Sequence, residues 1–138
     1  MGMISIEGFN KLQLSLEQLA ALPDAIVGEM LIAGGEVIKD AHQAKIQQMG
    51  AVDTGALAAS IKVGRPNTKA GTIEIRPSGT RKRGNTVTRN EEIAYITEYG
   101  KAGEPARPWM REANAESEDK AVEAAAKPFD NWLDKIGL

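Results

Sequence analysis

The chain contains no cysteine and only one histidine, His42, in its 138 residues. Without cysteine, neither a disulfide framework nor thiol catalysis is available, which fits a reducing compartment or indifference to redox conditions. A single histidine excludes metal sites built from several histidines. His42 stands beside Gln43 and off the apolar stripe of its segment, so we expect it to face solvent. We expect no catalytic residue, no metal ligand and no cofactor.

Aromatic residues and long apolar runs are also scarce. Aromatic side chains make up 4% of the sequence and apolar residues 42%, so the core must consist mainly of Leu, Ile, Val, Met and Ala. No apolar run approaches the roughly 18 residues of a membrane span, and the first residues do not resemble a signal peptide. The length predicts one domain, with a helical part (1–50), a sheet and loop part (51–107) and a C-terminal helix (108–138).

The charges are unevenly distributed along the chain. Residues 62–89 contain eight basic side chains and one acidic, a net charge of +7. The remainder contains 17 − 8 = 9 basic and 19 − 1 = 18 acidic residues, a net charge of −9. This division predicts a basic surface element on an acidic body.

Two apolar stripes with helical spacing occupy the N-terminal part. The first predicts a helix from Phe9 to Leu22 that Pro23 ends. The second predicts a helix from about 25 to 49, capped by Asp24. Its stripe consists of Ile26, Met30, Ala33, Val37, Ala41 and Ala44. Two adjacent glycines, Gly34 and Gly35, interrupt this second helix, and we interpret them as a place of close packing or a bend.

Short strands and a basic loop follow. Alternating apolar residues predict strands over 60–64 and 71–76, paired as an antiparallel hairpin with Ile73 and Ile75 on one face. Residues 78–90 are polar, contain glycine and offer one sizeable apolar side chain, Val87. We expect them to form a mobile surface loop. Its basic side chains form a candidate interaction loop: Arg81, Lys82, Arg83 and Arg89.

Residues 90–100 fit two structures. They can form a short helix capped by Asn90 and ending at Gly100, or a strand with alternating apolar positions; we favour the helix. A last helix should begin at Pro108, where a missing N–H is tolerated. Trp109 should belong to the core, and Pro128 should kink or break this helix.

The segment Asp53-Thr54-Gly55 has a catalytic and a structural interpretation. Retroviral-type aspartic proteases carry this motif and pair two such loops in a homodimer, where the two aspartates share a proton. That arrangement requires an all-β frame, whereas residues 44–50 resemble a polar helix end. We favour a capped turn, in which Asp53 or Thr54 accepts hydrogen bonds from free backbone N–H groups. Leu57 then lies on the apolar face of the turn.

Two segments carry a family resemblance. The first is VDTGALAASI at 52–61, and the second is AYITEYG at 94–100 followed by PARPWMREA at 105–113. Their order and spacing after a long helix resemble the tail-component family of long-tailed phages, whose members are similar in role to the minor tail protein Z of lambda. The chain departs from the family pattern at Gly50-Ala51 and at Ala58. The matching positions are Asp53, Thr54, Gly55, Leu57, Ser60, Tyr95, Glu98, Tyr99, Gly100, Arg107, Pro108 and Trp109.

The resemblance implies a tail-completion or head–tail joining protein. Such a protein is a non-catalytic subunit of a homo-oligomeric ring, with a hexamer suggested by the family, and it contacts other tail or connector proteins. Its place is the virion, after assembly in the host cytoplasm. DNA would be touched only in the channel, and no membrane is involved. From the residues themselves, the Glu98 carboxylate could bond backbone N–H groups or Arg107, and we favour an ion pair with Arg107 or Arg111.

Two other functions remain open at this point. A nucleic-acid-binding protein could use residues 62–89, although no aromatic side chain there could stack on bases. An aspartic protease dimer could use Asp53. The predicted fold is α+β: two N-terminal helices, a small antiparallel sheet with a basic loop, and a C-terminal helix.

Overall fold

A computed structural model describes residues 4–7, 11–14, 22–49 and 54–137. The fold is α+β, as predicted. Its elements in chain order are β1 (Ile4–Glu7), β2 (Lys11–Leu14), α1 (Asp24–Gln48), α2 (Thr54–Ser60), β3 (Ile61–Val63), β4 (Thr72–Pro77), β5 (Thr80–Arg83), β6 (Thr86–Arg89), α3 (Asn90–Tyr99) and α4 (Trp109–Lys135).

The main sheet has four antiparallel strands in the order β1-β2-β4-β3. Its register sets apolar positions opposite each other: Val63 faces Ile75, and Leu12 faces Ile73. Ile73 and Ile75 are buried while the positions between them are open to solvent, because successive side chains of a strand point to opposite faces. The predicted pairing of β3 with β4 is confirmed.

The predicted first helix is wrong over Lys11–Leu14, which form strand β2 between β1 and β4. Leu12 and Leu14 fit both a helical stripe and a strand alternation, and tertiary pairing decides between the two. The other part of that prediction, at 15–21, lies outside the described residues. Two helices, α1 and α2, do precede β3.

Helix α1 confirms the second predicted helix. Its N-cap is Pro23, so Asp24 is a first-turn residue and not the predicted cap. Gly35 permits the predicted close packing on the sheet, since a Cβ there would lie 3.2 Å from the Val63 methyl and 3.5 Å from Ile73. The predicted stripe is displaced, because the helix buries a neighbouring face: Val27, Met30, Leu31, Ile38, His42 and Ile46.

Helix α4 packs against α1 in the opposite direction. Lys45, near the end of α1, pairs with Glu116 at 2.8 Å. Asp40, earlier in α1, and Lys120, later in α4, line one groove between the two helices. Trp109 is buried, as predicted, together with Met110. The helix continues through Pro128 to Lys135, so Pro128 does not break it. None of the helices described is long and apolar enough to cross a membrane.

The basic segment forms a β-hairpin where a loop was predicted, and its predicted mobility stays a prediction. Strands β5 and β6 pair in antiparallel register from Thr80–Arg89 to Arg83–Thr86, which leaves a two-residue turn at Gly84-Asn85. Gly84 has a φ of +59°, the left-handed conformation that such turns need. We call this hairpin, Thr80–Arg89, the arm. Helix α3 follows it directly, which confirms the helical interpretation of 90–100.

Candidate functional site

A buried carboxylate joins α3 to α4. Glu98 is 3% exposed; its Oε2 accepts a hydrogen bond from the Met110 N–H at 2.8 Å, and its Oε1 accepts one from the Arg111 N–H at 3.0 Å. These donors belong to the first turn of α4, which has no other intrahelical partner for them and carries the positive end of the helix dipole. Within the described residues Glu98 forms no ion pair with Arg107 or Arg111. The predicted ion pair is therefore wrong, and backbone N–H groups take the place of the arginine.

The turn between α3 and α4 needs glycine. Gly100 has a φ of +78°, and a Cβ there would lie 2.7 Å from the Ala106 nitrogen and 2.8 Å from the Glu104 carbonyl oxygen. The Arg107 N–H donates to the Thr97 carbonyl at 2.8 Å, which holds the returning chain against α3. The motif Glu98, Gly100, Arg107 and Pro108 thus fixes where α4 begins.

Trp109 and His42 meet in the interface between α1 and α4. Their rings lie 5.4 Å apart at 87°, and His42 Nε2 is 2.7 Å from the Asn114 Oδ1. His42 is 1% exposed, so the prediction of a solvated histidine is wrong. Burial lowers the pKa of His42, and the bond to Asn114 opposes this in part. The sequence spacing indicates this burial, because His42 lies four residues from both Ile38 and Ile46, which are buried.

The Asp-Thr-Gly segment is described only from Thr54, where α2 begins. Asp53 and the side chain of Thr54 are outside the described residues, so the predicted cap stays a prediction. Leu57 is buried, Gly55 is exposed, and the Ser60 hydroxyl donates to the Leu57 carbonyl at 2.6 Å. The Ser60 carbonyl accepts hydrogen bonds from the N–H and the hydroxyl of Ser78, at 2.8 and 3.0 Å. Leu57 and Ser60 therefore tie α2 to the sheet.

An aromatic pair is exposed on the outer side of α3. The rings of Tyr95 and Tyr99 lie 4.6 Å apart, and the two residues are 63% and 44% exposed. Partial desolvation, then the neighbouring Tyr95 hydroxyl and the Glu98 carboxylate, raise the pKa of Tyr99. Tyr95 lines a groove of about 300 Å³ with Arg89, Glu91, Glu92 and Ile96. Arg89 is the last residue of the arm, so Tyr95 and the end of the arm line the same groove.

Asn90 holds the base of the arm. Its backbone N–H donates to the Gly79 carbonyl at 3.0 Å and its Nδ2 donates to the Ser78 carbonyl at 2.8 Å. Its Oδ1 accepts a bond from Arg81 Nε at 3.0 Å. We predicted Asn90 only as a helix cap and missed this role; the N-cap is Arg89. The hairpin itself had a sequence signal, a Gly-Asn pair followed by the β-branched run Thr-Val-Thr.

Most of the arm's other described side chains are open to solvent. Lys82, Arg89 and Val87 are exposed, Val87 by 62%. Arg89 pairs with Glu92 at 3.4 Å. Of the four predicted interaction residues, the side chain of Arg83 is outside what the structure describes. The described side chains form no group of three or more acidic, histidine or cysteine residues that could hold a metal. The arm and the aromatic pair together present an exposed surface of basic and aromatic side chains.

One of three comparisons with known proteins finds a match. Residues 10–100 match the family described as "Bacteriophage HK97-gp10, putative tail-component". Neither a search of curated proteins nor a search of solved structures finds a match. The family match covers 91 of the 138 residues and includes α1, the sheet strands from β2 to β4, the arm and α3. The chain therefore belongs to the HK97 gp10-like family of phage tail components and is a phage structural protein.

Proposed function

We propose that the protein is a tail-completion or head–tail joining subunit. In this role, copies of the chain form a homo-oligomeric ring at the head-proximal end of the tail and contact other tail or connector proteins. The ring acts by surface complementarity and without catalysis. It belongs to the virion and assembles in the host cytoplasm. Any contact with DNA is limited to the channel.

The observation that carries this proposal is the exposed surface formed by the arm and the aromatic pair. Tyrosines combine a large apolar ring with a polar hydroxyl, and they are enriched at protein interfaces and their energetic centres. Tyr95 and Tyr99 lie close together and more than two-fifths exposed. A structural subunit needs such a surface to bind its neighbours. The family match indicates that the assembly in question is a phage tail.

Hydrogen bonds and a tight turn hold the elements beneath this surface. Glu98 fixes the start of α4, Gly100 fixes the turn, and Asn90 fixes the base of the arm through side-chain hydrogen bonds. Preorganised surfaces bind more tightly because less conformational freedom is lost on association. The motif residues that match the family thus contribute to assembly indirectly, by holding the surface in one shape.

The setting of the Asp-Thr-Gly segment supports a role without proteolysis. Helix α1 ends shortly before it, and α2 begins at Thr54. In an aspartic protease the same residues follow a strand and face a second copy across an all-β frame. A short helix that begins within the motif does not provide that frame.

An amber mutation in the gene, with and without complementation, tests the proposal. We expect the mutant lysate to contain DNA-filled heads and separate tails, visible by electron microscopy, and joined particles to return on complementation. In dilution series followed by light scattering, the purified protein should change mass with concentration. Normal infectious particles without the protein would refute the proposal, and a tight two-fold dimer that resists dilution would contradict the ring.

A further inference from the structure

The arm concentrates positive charge on an exposed hairpin. Residues 80–89 contain four basic side chains and no acidic one. With four residues in each strand, the hairpin is roughly 13 Å long. Lys82 is exposed and forms no ion pair within the described part of the chain. An isolated two-stranded hairpin is only marginally stable in water, so an arm of this kind gains from a surface to lie on.

Helix α4 carries the complementary charge. Six acidic residues follow one another at intervals of three, four and seven, which places them on one side of the helix. We call them the acidic stripe: Glu112, Glu116, Asp119, Glu123, Asp130 and Asp134. All six are exposed. Lys45 neutralises the first two, at 4.0 and 2.8 Å, whereas the other four form no ion pair within the described residues.

The spacing of the stripe is unfavourable for an isolated helix. Asp119 and Glu123, and likewise Asp130 and Asp134, are four residues apart, where like charges repel. Two basic residues of the same helix, Lys120 and Lys127, flank the stripe, and neither forms an ion pair within the described residues. Further cations from outside the helix would therefore stabilise this row of carboxylates.

Apolar residues accompany both charged surfaces. Val87 and the aromatic pair lie exposed beside the basic side chains of the arm. Beside the acidic stripe, Ala126 and Leu133 are half-buried along α4, next to Val122, which packs against the core. Interfaces typically combine an apolar centre with a charged rim, and this chain presents both halves of such a pair on different elements.

We propose that the arm of one copy lies along the acidic stripe on α4 of a neighbouring copy, with the aromatic pair against the apolar residues beside that stripe. This rests on the proposed function only in requiring that copies associate. The contact joins two different surfaces of the chain, so each copy offers a free arm and a free stripe to the next. A head-to-tail contact of this kind closes into a ring when the rotation between copies allows it.

Charge reversal tests this contact. Lys82→Glu with Arg83→Glu alters the arm without touching Arg81, which bonds Asn90, and Asp119→Lys with Glu123→Lys alters the stripe. Each double variant alone should self-associate at least ten-fold more weakly than wild type. Lys62→Glu with Lys69→Glu is the matched control: it makes the same charge change at exposed residues away from the arm, and self-association should stay as in wild type.

Mixing the two double variants is the decisive step. The intact arm of one variant fits the intact stripe of the other, and the reversed arm fits the reversed stripe, so the mixture should regain the association that each variant lacks. Melting followed by circular dichroism confirms that each variant is folded. A mixture as weak as its components would overturn the proposal, and so would an arm variant that self-associates normally.

Cross-linking locates the contact directly. A zero-length carbodiimide, applied to the purified protein and to phage tails, should join Lys82 to Asp119 or Glu123 of another copy. The absence of this cross-link in both samples would refute the arm contact. If the arm variant keeps its self-association and loses DNA retention instead, the arm faces DNA and this inference fails. If wild-type copies associate in neither sample, the proposed ring fails as well, which separates the two failures.

Discussion

The carboxylate of Glu98 is bonded to the backbone N–H of Met110, at 2.8 Å, and is almost completely buried. The bond crosses the turn at Gly100 and fixes the last turn of α3 to the first turn of α4. A buried carboxylate is tolerated only where donors surround it, and here the donors are N–H groups that the helix itself leaves unpaired. The Glu98 side chain therefore helps to set the position of the aromatic pair relative to α4.

Replacing Glu98 should destabilise the fold. Glu98→Ala removes both acceptors and leaves the Met110 and Arg111 N–H groups unpaired. The free energy of unfolding should fall by about 2–4 kcal/mol for the two groups together. Glu98→Gln keeps one acceptor oxygen and should lose about half as much. Urea unfolding measures both. The control is Glu91→Ala in the same helix, an exposed residue whose change should stay within about 0.5 kcal/mol. Equal effects at the two positions would contradict the cap.

Gly100 and Gly103 make a matched pair for the turn. Both have positive φ, +78° and +82°, but only Gly100 has backbone atoms within 3 Å of an added Cβ. Gly103→Ala should cost about 1–2 kcal/mol from the left-handed backbone alone. Gly100→Ala adds a clash with the Ala106 nitrogen and should lose about 3 kcal/mol or more. Thermal unfolding would show the difference, and equal losses would mean that the turn can open to admit the methyl group.

The sequence predicted the elements whose periodicity was unambiguous. Helix α1 and the β3–β4 pair were predicted because apolar residues recur over a long helix and alternate in β4. The strand at Lys11–Leu14 was missed because four residues with two leucines fit either period, and only pairing with β4 decides. The arm was missed because composition outweighed its Gly-Asn turn signal.

The site was predicted in part. The importance of Glu98 followed from its place before Gly100, and backbone N–H groups were considered as partners, but the sequence cannot show that α4 begins within reach of the carboxylate. His42 was assigned to the wrong side of α1 because that helix packs on both the sheet and α4, so two apolar stripes compete. Asn90 acts through contacts with residues 78, 79 and 81, which depend on the path of the hairpin.

The burial of His42 predicts a pH dependence of stability. Because burial lowers its pKa in the folded state, the unfolded chain binds the proton more readily. Stability should therefore be complete above the unfolded pKa of about 6.5 and fall as the pH drops toward the folded pKa. His42 Nδ1 has no hydrogen-bond partner among the described residues, so protonation would add a buried donor without an acceptor. Urea unfolding at pH 7.5 and 5.5 measures the loss.

His42→Gln isolates this contribution, since glutamine can still bond Asn114 but does not titrate. The variant should be less stable than wild type at pH 7.5, because the ring contact with Trp109 is lost, yet its stability should fall less between pH 7.5 and 5.5. Carboxylates titrate in both proteins and cancel in the comparison. An identical loss in the two proteins would show that His42 binds its proton equally well folded and unfolded.

Asn90 should control the order of the arm separately from the stability of the core. Asn90→Ala removes the bonds from its side chain to Ser78 and Arg81, and two net hydrogen bonds are worth about 1–3 kcal/mol, or roughly a 5- to 150-fold change in local opening. In wild type, hydrogen exchange should show protected amides in Thr80–Arg89, and the variant should lose that protection while α1 keeps its own. Asn67→Ala is the control, because Asn67 makes a comparable side-chain bond to the Ala70 N–H outside the arm. Rapid exchange of the arm in wild type would favour the mobile loop after all, and full protection in Asn90→Ala would mean that the base of the arm is held by other contacts.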